Sequence, residues 1–218
     1  MIHVLLVEDK NMSRETMGGY IKRSGRYELT ASITNAGMAE MACMRYAIDL
    51  ILMDVCTDNN ESGLAAAAVI KRHFPKIKII VVTSMADSDF MRKAREAGAE
   101  SFWFKETGEI GLLELMDRTM AGESVYPGKG PVVKIGRALS SEFTPDELTL
   151  MRLLVQGKSL SAVARELIIA EGTASAEMHI SVDAVRWHIK ELFSKTGYNN
   201  RVALACDVIN KDLIVPGF

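Results

Sequence analysis

The chain has 218 residues, about half of them hydrophobic and a quarter charged, with a formal net charge of −2. This is ordinary globular composition, and the charge balance carries no global sign of a nucleic-acid binder or a membrane-surface protein. No apolar run approaches the ~20 residues of a membrane span. The start, MIHVLLVED, reaches two acids within nine residues, so a soluble cytoplasmic protein is expected.

The first half alternates short apolar runs with amphipathic ones. Residues 2–7, 29–33, 50–53, 78–82 and 101–104 read as strands, because near-continuous apolar runs of that length suit strands buried on both faces. Helices are expected over 13–24, 36–48, 63–73, 88–97 and 111–120. Five such units imply a doubly wound α/β domain, a five-stranded parallel sheet joined by right-handed crossovers. Residues 123–142 hold two prolines and several glycines with no sustained period, the mark of a linker. Beyond it FTPDELTLMRLLVQG opens with a Thr cap, a Pro and two acids and closes at Gly157, a well-marked helix. The expected organisation is an α/β domain over 1–122, a linker over 123–142 and a small all-α domain over 143–218. Cys43, Cys56 and Cys206 lie far apart without metal-ligand spacing, which argues against a disulfide framework.

In an open parallel sheet, ligands bind beyond the carboxyl ends of the strands. Those ends carry Glu8 and Asp9, Asp54, Thr83 and Lys105. Taken singly, such residues are common in solvated turns; three carboxylates, a hydroxyl and an amine at four strand ends suit phosphoryl transfer to a carboxylate. Clustered acids invite Mg²⁺, which takes carboxylates, phosphate oxygens and water. Asp54 would be the nucleophile, Lys105 would pair with phosphoryl oxygens and the Thr83 hydroxyl would hydrogen-bond another.

The strings LLVED, LILMD, VVTS and GAESFWFK resemble the receiver domain of two-component response regulators, which is flavodoxin-like. The resemblance implies that Glu8 and Asp9, with Asp54 and the main-chain carbonyl of Cys56, hold Mg²⁺. It makes Asp54 the phosphoacceptor, Thr83 and Phe102 the switch pair, and Lys105 the phosphate-binding lysine. Two departures stand out. The Met-Pro usual after the acceptor is absent and the run from Asp54 to Gly63 is one residue longer, which suggests a mobile or acidic loop; the proline usual after the lysine is Glu106.

The helical half contains a short phrase twice, IAEGTA at 169–174 and ISVDAV at 180–185. Only the second has the chemistry of a DNA-reading helix. With Ser181 as cap, Val182, Val185, Ile189, Leu192 and Thr196 form one apolar stripe, while Asp183, Arg186, Trp187, Lys190 and Ser194 face the other way. The first copy lacks a Ser or Asp cap, a stripe and any basic residue. FTPDELTLMRLLVQGKSLSAVAREL and HISVDAVRWHIKELFSKTGYNNRVALA resemble a LuxR-type helix-turn-helix, which places the whole chain near the NarL/FixJ response regulators. The resemblance implies that Arg186, Trp187 and Lys190 face the bases and that Lys195 and Arg201 contact the DNA backbone. Ala184 stands where the family commonly has Thr, and 168–178 is an insert relative to the pattern, a solvent-exposed loop or a device that reshapes the motif.

The resulting expectation is a transcription factor, not an enzyme. A sensor histidine kinase phosphorylates Asp54 with Mg²⁺, and a homodimer binds double-stranded DNA. The alternatives are a DNA-binding regulator whose receiver works without phosphate, and an aspartyl-nucleophile phosphohydrolase. The last usually has a second acid two residues after the nucleophile, where this chain has Cys56.

Overall fold

The computed structural model describes residues 1–87, 89–105, 108–167 and 180–215. The insert at 168–178 and the first copy of the doubled phrase lie outside the described residues. Two compact units are present, the first built mainly from residues up to Gly130 and the second mainly from Pro131 onward.

In chain order the first unit runs β1 (Ile2–Val7), α1 (Asn11–Arg23), β2 (Tyr27–Ile33), α2 (Ala39–Arg45), β3 (Leu50–Asp54), β4 (Cys56–Thr57), β5 (Glu61–Ser62), α3 (Gly63–His73), β6 (Lys78–Thr83), α4 (Asp89–Glu96), β7 (Ser101–Phe104) and α5 (Gly108–Met120). Five strands pair in parallel in the order β2-β1-β3-β6-β7. The chain leaves β1 toward β2 on one side and continues from β3 toward β7 on the other. The order therefore reverses between β1 and β3, and a crevice opens beyond their carboxyl ends.

The strands form because both faces are covered. Val4, Leu6, Leu50, Leu52, Ile80, Val82 and Trp103 pack with Met17 and Ile21 of α1 and Leu112, Leu115 and Met116 of α5. Residues of opposite parity, Leu5, Val7, Ile51, Met53, Ile79 and Val81, are equally buried, and α3 packs on this sheet at β3 and β6. The expected strands appear with small extensions. Helix α2 is shorter than the apolar pattern implied: Asn35 caps a 3₁₀ turn over Ala36–Met38, and the backbone becomes extended at Tyr46.

The second unit begins with a hairpin, β8 (Lys134–Ile135) and β9 (Ala138–Leu139), inside the stretch expected to be linker. Among the described residues four α-helices follow: α6 (Pro145–Val155), α7 (Leu160–Glu166), α8 (Val182–Thr196) and α9 (Arg201–Asn210). Thr144 and Glu147 form a reciprocal capping box at the start of α6. Ile135 and Ala138 share one core with Leu150, Val163, Val185, Ile189, Leu192, Leu204 and Val208, so the hairpin is part of this unit.

Candidate functional site

Each acid of the first unit is delivered by a strand that can go nowhere else. Strand β1 is buried through Val7 and leads into Glu8, whose N–H donates to the Ile33 carbonyl of β2 at 3.0 Å, and Asp9; β3 is buried throughout and ends in Asp54. Glu8 and Asp54 are themselves buried, and Asp9 is half-buried. Carboxylate oxygens of all three lie within 4.8 Å of one another.

Lys105, the residue after β7, compensates this charge. Its Nζ lies 2.9 Å from Asp54 Oδ2 and 2.6 Å from Glu8 Oε2. Asp54 Oδ1 accepts the backbone N–H of Val55 at 2.8 Å. Burial raises the Asp54 pKa well above its ordinary 3.8; Lys105 opposes the rise and Glu8 adds to it. Burial alone would lower the Lys105 ammonium pKa, but Asp54 and Glu8 outweigh it and hold the group above its ordinary value. The lysine is thus a fixed cation between two carboxylates, placed to follow negative charge added to Asp54.

Asp9 Oδ1 is buried and has no hydrogen-bond partner among the described residues. A bare carboxylate oxygen in a low-dielectric crevice is costly unless a cation meets it. All-oxygen donors beside two further acids fit Mg²⁺, so Glu8, Asp9 and Asp54 are the residues that would hold it. Cys56, two residues past Asp54, lies on β4.

The long run after Asp54 folds as a hairpin. Strands β4 and β5 pair antiparallel, with Asn59 and Asn60 left-handed at the tip (φ 63° and 59°). Thr57 Oγ1 donates to the Glu61 carbonyl at 3.0 Å and accepts the Ala36 N–H at 2.9 Å; Asp58 N–H donates to the Thr34 carbonyl at 3.2 Å. The extra length that suggested a mobile loop is instead held against the segment after β2. At its end Gly63 starts α3 with its N–H donating to the Val55 carbonyl at 2.9 Å.

Thr83 ends β6 opposite Phe104, and both Thr83 and Phe102 are buried. Phe102 sits between two rings, edge-on to Phe104 at 5.1 Å and stacked near Tyr126 at 6.1 Å. Tyr126 belongs to a strap after α5 that follows the edge of β7. Phe102 N–H donates to the Val125 carbonyl at 2.9 Å, Ser124 Oγ to the Glu100 carbonyl at 2.8 Å, and Tyr126 OH to the Ala99 carbonyl at 2.8 Å. The Arg95 guanidinium lies 4.1 Å above the Tyr126 ring.

In the second unit α8 has the N-cap and the faces read from the sequence. Ser181 Oγ accepts the Ala184 N–H at 3.1 Å, and Gly197 ends the helix in the left-handed conformation. Val185, Ile189, Leu192 and Thr196 are buried, whereas Arg186, Trp187 and Lys190 are exposed, Trp187 by 57%. Among the described residues Arg186 pairs with Asp183, at 2.9 Å on the open surface, a contact of little energetic weight. Arg201 is also exposed. Lys195 is placed differently. Its ammonium donates to Glu147 at 2.7 Å and to the Glu142 carbonyl at 3.0 Å, over the ring of Phe143, and so ties α8 to α6.

Four contributors went unread in the sequence: Arg14, Gly63, Tyr126 and Arg137. Arg137 N–H donates to the Thr196 carbonyl at 2.9 Å and its guanidinium to the Ser194 carbonyl, satisfying the open carbonyls at the end of α8. Each acts through contacts distant in sequence or through main-chain geometry, and residue type alone gives no signal for that.

A family model described as response regulator receiver domain matches residues 4–117. The response regulator protein VraR of Staphylococcus aureus (strain NCTC 8325 / PS 47) is 25% identical over 218 residues, covering 98% of this chain and 99% of its own. A crystal structure of a LuxR-family two-component response regulator from Aurantimonas sp. SI85-9A1 is 26% identical, with TM-score 0.53, over 56% of this chain and 87% of its own. A structure of two RcsB dimers bound to two parallel DNAs has TM-score 0.61 at 17% identity, over 95% of this chain and 97% of its own, a likeness of fold.

Proposed function

Since the chain belongs to the response regulator receiver family, we propose that its two units form a phosphorylation-switched transcription factor in which Asp54 is the phosphoacceptor. The observation that carries this is the Lys105 ammonium bridging Asp54 and Glu8 beside an unpartnered Asp9 oxygen. The donor is a sensor histidine kinase. An Asp54 oxygen forms a bond to phosphorus as the phosphorus–nitrogen bond of the phosphohistidine breaks, and the imidazole leaves with the electron pair. Glu8, Asp9 and Asp54 would hold Mg²⁺, which would neutralise the phosphoryl charge. Lys105, already charged and buried, turns from carboxylate to phosphoryl oxygen without further desolvation. Thr83, at the end of β6, donates its hydroxyl to another phosphoryl oxygen. That bond exists only in the phosphorylated state and biases the packing of Phe102.

The output is sequence-specific binding of double-stranded DNA by α8, with Arg186, Trp187 and Lys190 toward the bases and Arg201 toward the backbone. The RcsB structure, of two dimers bound to two parallel DNAs, supports a paired arrangement. So does α9, whose Val202 is 69% exposed and whose Cys206 lies one turn further on. Among the described residues no helix is long and apolar enough to cross a membrane; a regulator of chromosomal promoters works in the cytoplasm.

The test combines Phos-tag electrophoresis after acetyl phosphate with DNA selection in the presence and absence of beryllofluoride and Mg²⁺. A shifted band lost in Asp54→Asn, with DNA enriched more strongly under beryllofluoride, is the expected result. An unshifted wild type sinks the switch. Enrichment that ignores beryllofluoride and a promoter response unchanged in Asp54→Asn would leave a phosphate-independent regulator, the reading favoured by the unusual hairpin after Asp54.

A further inference from the structure

The turn that carries Glu8 and Asp9 is held from behind by a residue outside the acidic cluster. Arg14, on the first turn of α1, donates from a single nitrogen, Nη1, to two successive main-chain carbonyls, Glu8 at 2.9 Å and Asp9 at 3.0 Å. Its other terminal nitrogen donates to the Asn11 side chain. The N–H of Arg14 also closes the first helical bond, to the Lys10 carbonyl at 2.9 Å, and the N–H of Lys10 returns to Glu8 Oε1 at 3.1 Å. The loop between β1 and α1 is therefore closed on itself by five hydrogen bonds from Lys10 and Arg14.

Two carbonyls turned toward one guanidinium fix the peptide planes on either side of Asp9, and with them the direction in which both carboxylates leave the backbone. We propose that Arg14 is a positioning residue for the divalent cation, holding Glu8 and Asp9 in the orientation that brings their oxygens to Asp54. The inference rests on the reading of that trio as a magnesium site. Arg14 touches neither the cation nor the phosphoryl group. Its effect is pre-organisation, avoiding the reorientation of two carboxylates on binding. Arginine suits the task because one rigid fork serves the backbone and Asn11 together.

The test is isothermal titration of the metal-free full chain with MgCl₂, comparing wild type, Arg14→Gln and Arg14→Lys, with urea unfolding of each in EDTA. Outer contacts that orient metal ligands are worth about 10- to 100-fold in affinity. Arg14→Gln is therefore expected to bind Mg²⁺ at least about tenfold more weakly, and Arg14→Lys to recover part of the loss through one remaining contact. Acetyl phosphate labelling of Arg14→Gln should return toward wild type as MgCl₂ is raised, since Asp54 and Lys105 are intact. An Arg14→Gln affinity equal to wild type, or a loss seen only in the EDTA unfolding curve, overturns the proposal. If Arg14→Gln does not fold, Arg14→Lys decides by the same titration. A wild type that takes no Mg²⁺ removes the magnesium reading and the proposal with it, whereas a binding wild type with an equally binding variant removes only the role of Arg14.

Discussion

Gly63 lies against the main chain of Asp54 so closely that a β-carbon on it would stand 1.8 Å from the Asp54 carbonyl oxygen and 3.0 Å from Met53 Cγ. The glycine is needed for room: α3 starts where β3 and its terminal Asp54 end, and the hairpin of β4 and β5 brings the chain back to that spot. Gly63→Ala must push one of two backbones aside. We expect a loss of about 1–3 kcal/mol in unfolding free energy, the usual cost of overpacking a fixed backbone. Asp54 labelling by acetyl phosphate should fall with it. Urea unfolding and Phos-tag gels check the two effects, and wild-type values in both would contradict the packing account.

Tyr126 makes three contacts of different kind, a ring stack on Phe102, a cation contact with Arg95 and a hydroxyl bond to Ala99. Tyr126→Phe removes only the last and should cost about 0.5–1.5 kcal/mol. Tyr126→Ala removes all three and should cost about 3–5 kcal/mol, in the range of large aromatic deletions. It should also open residues 121–130 to protease. Equal losses for the two variants would mean that the ring contributes nothing.

Cys43 gives the sign of one pH dependence. Burial raises its thiol from an ordinary 9.0 to about 11, with Glu40 adding to the shift. The folded state thus keeps a proton that the unfolded chain releases. That contribution is fully present below about 9 and is lost as pH rises toward about 11. Cys43→Ala should flatten this part of the stability profile. At pH 8, iodoacetamide should label exposed Cys206 readily and leave buried Cys43 unmodified until the chain unfolds. Equal labelling of both in the folded protein would contradict the burial.

On α8 the basic residues should separate into two groups. Arg186→Ala and Lys190→Ala leave exposed positions, so stability should change by less than about 0.5 kcal/mol. Each should weaken duplex binding by about 1–3 kcal/mol and relax sequence preference at the base it faces. Lys195→Ala breaks the tie to Glu147 and Glu142 and should cost about 1 kcal/mol of stability. Fluorescence anisotropy at several salt concentrations, beside thermal unfolding, distinguishes them. A Lys195→Ala variant of unchanged stability and reduced salt slope would make it a phosphate contact instead.

The strands and their terminal acids were legible because a parallel sheet writes itself as unbroken apolar runs, and a polar residue after such a run marks the crevice. Ser181 and Thr144 were legible as caps because capping is local. The hairpin after Asp54 was not, since its register depends on Thr57 meeting Ala36, twenty-one residues away. Arg14 looks like any basic residue on an exposed helix turn; its partners are carbonyls, which the sequence does not distinguish. Lys195 carried the right charge for a phosphate contact, but Glu147 across the helix pair sets where that charge rests. The fold and the acidic centre thus follow from residue type and spacing. The supporting contacts follow from three-dimensional neighbours.

The hairpin of β8 and β9 changes where the helical unit can be cut. Gly136, left-handed at its tip, fits so tightly beneath α8 that a β-carbon would stand 2.1 Å from the Thr196 carbonyl oxygen, and its N–H donates to Asp207 of α9 at 3.0 Å. A fragment starting at 143, the edge suggested by composition, would present α8 with bare carbonyls and a core missing Ile135 and Ala138. One starting at 131 would carry its own clamp. What composition describes as a tether is, for the last turn of α8, a keystone.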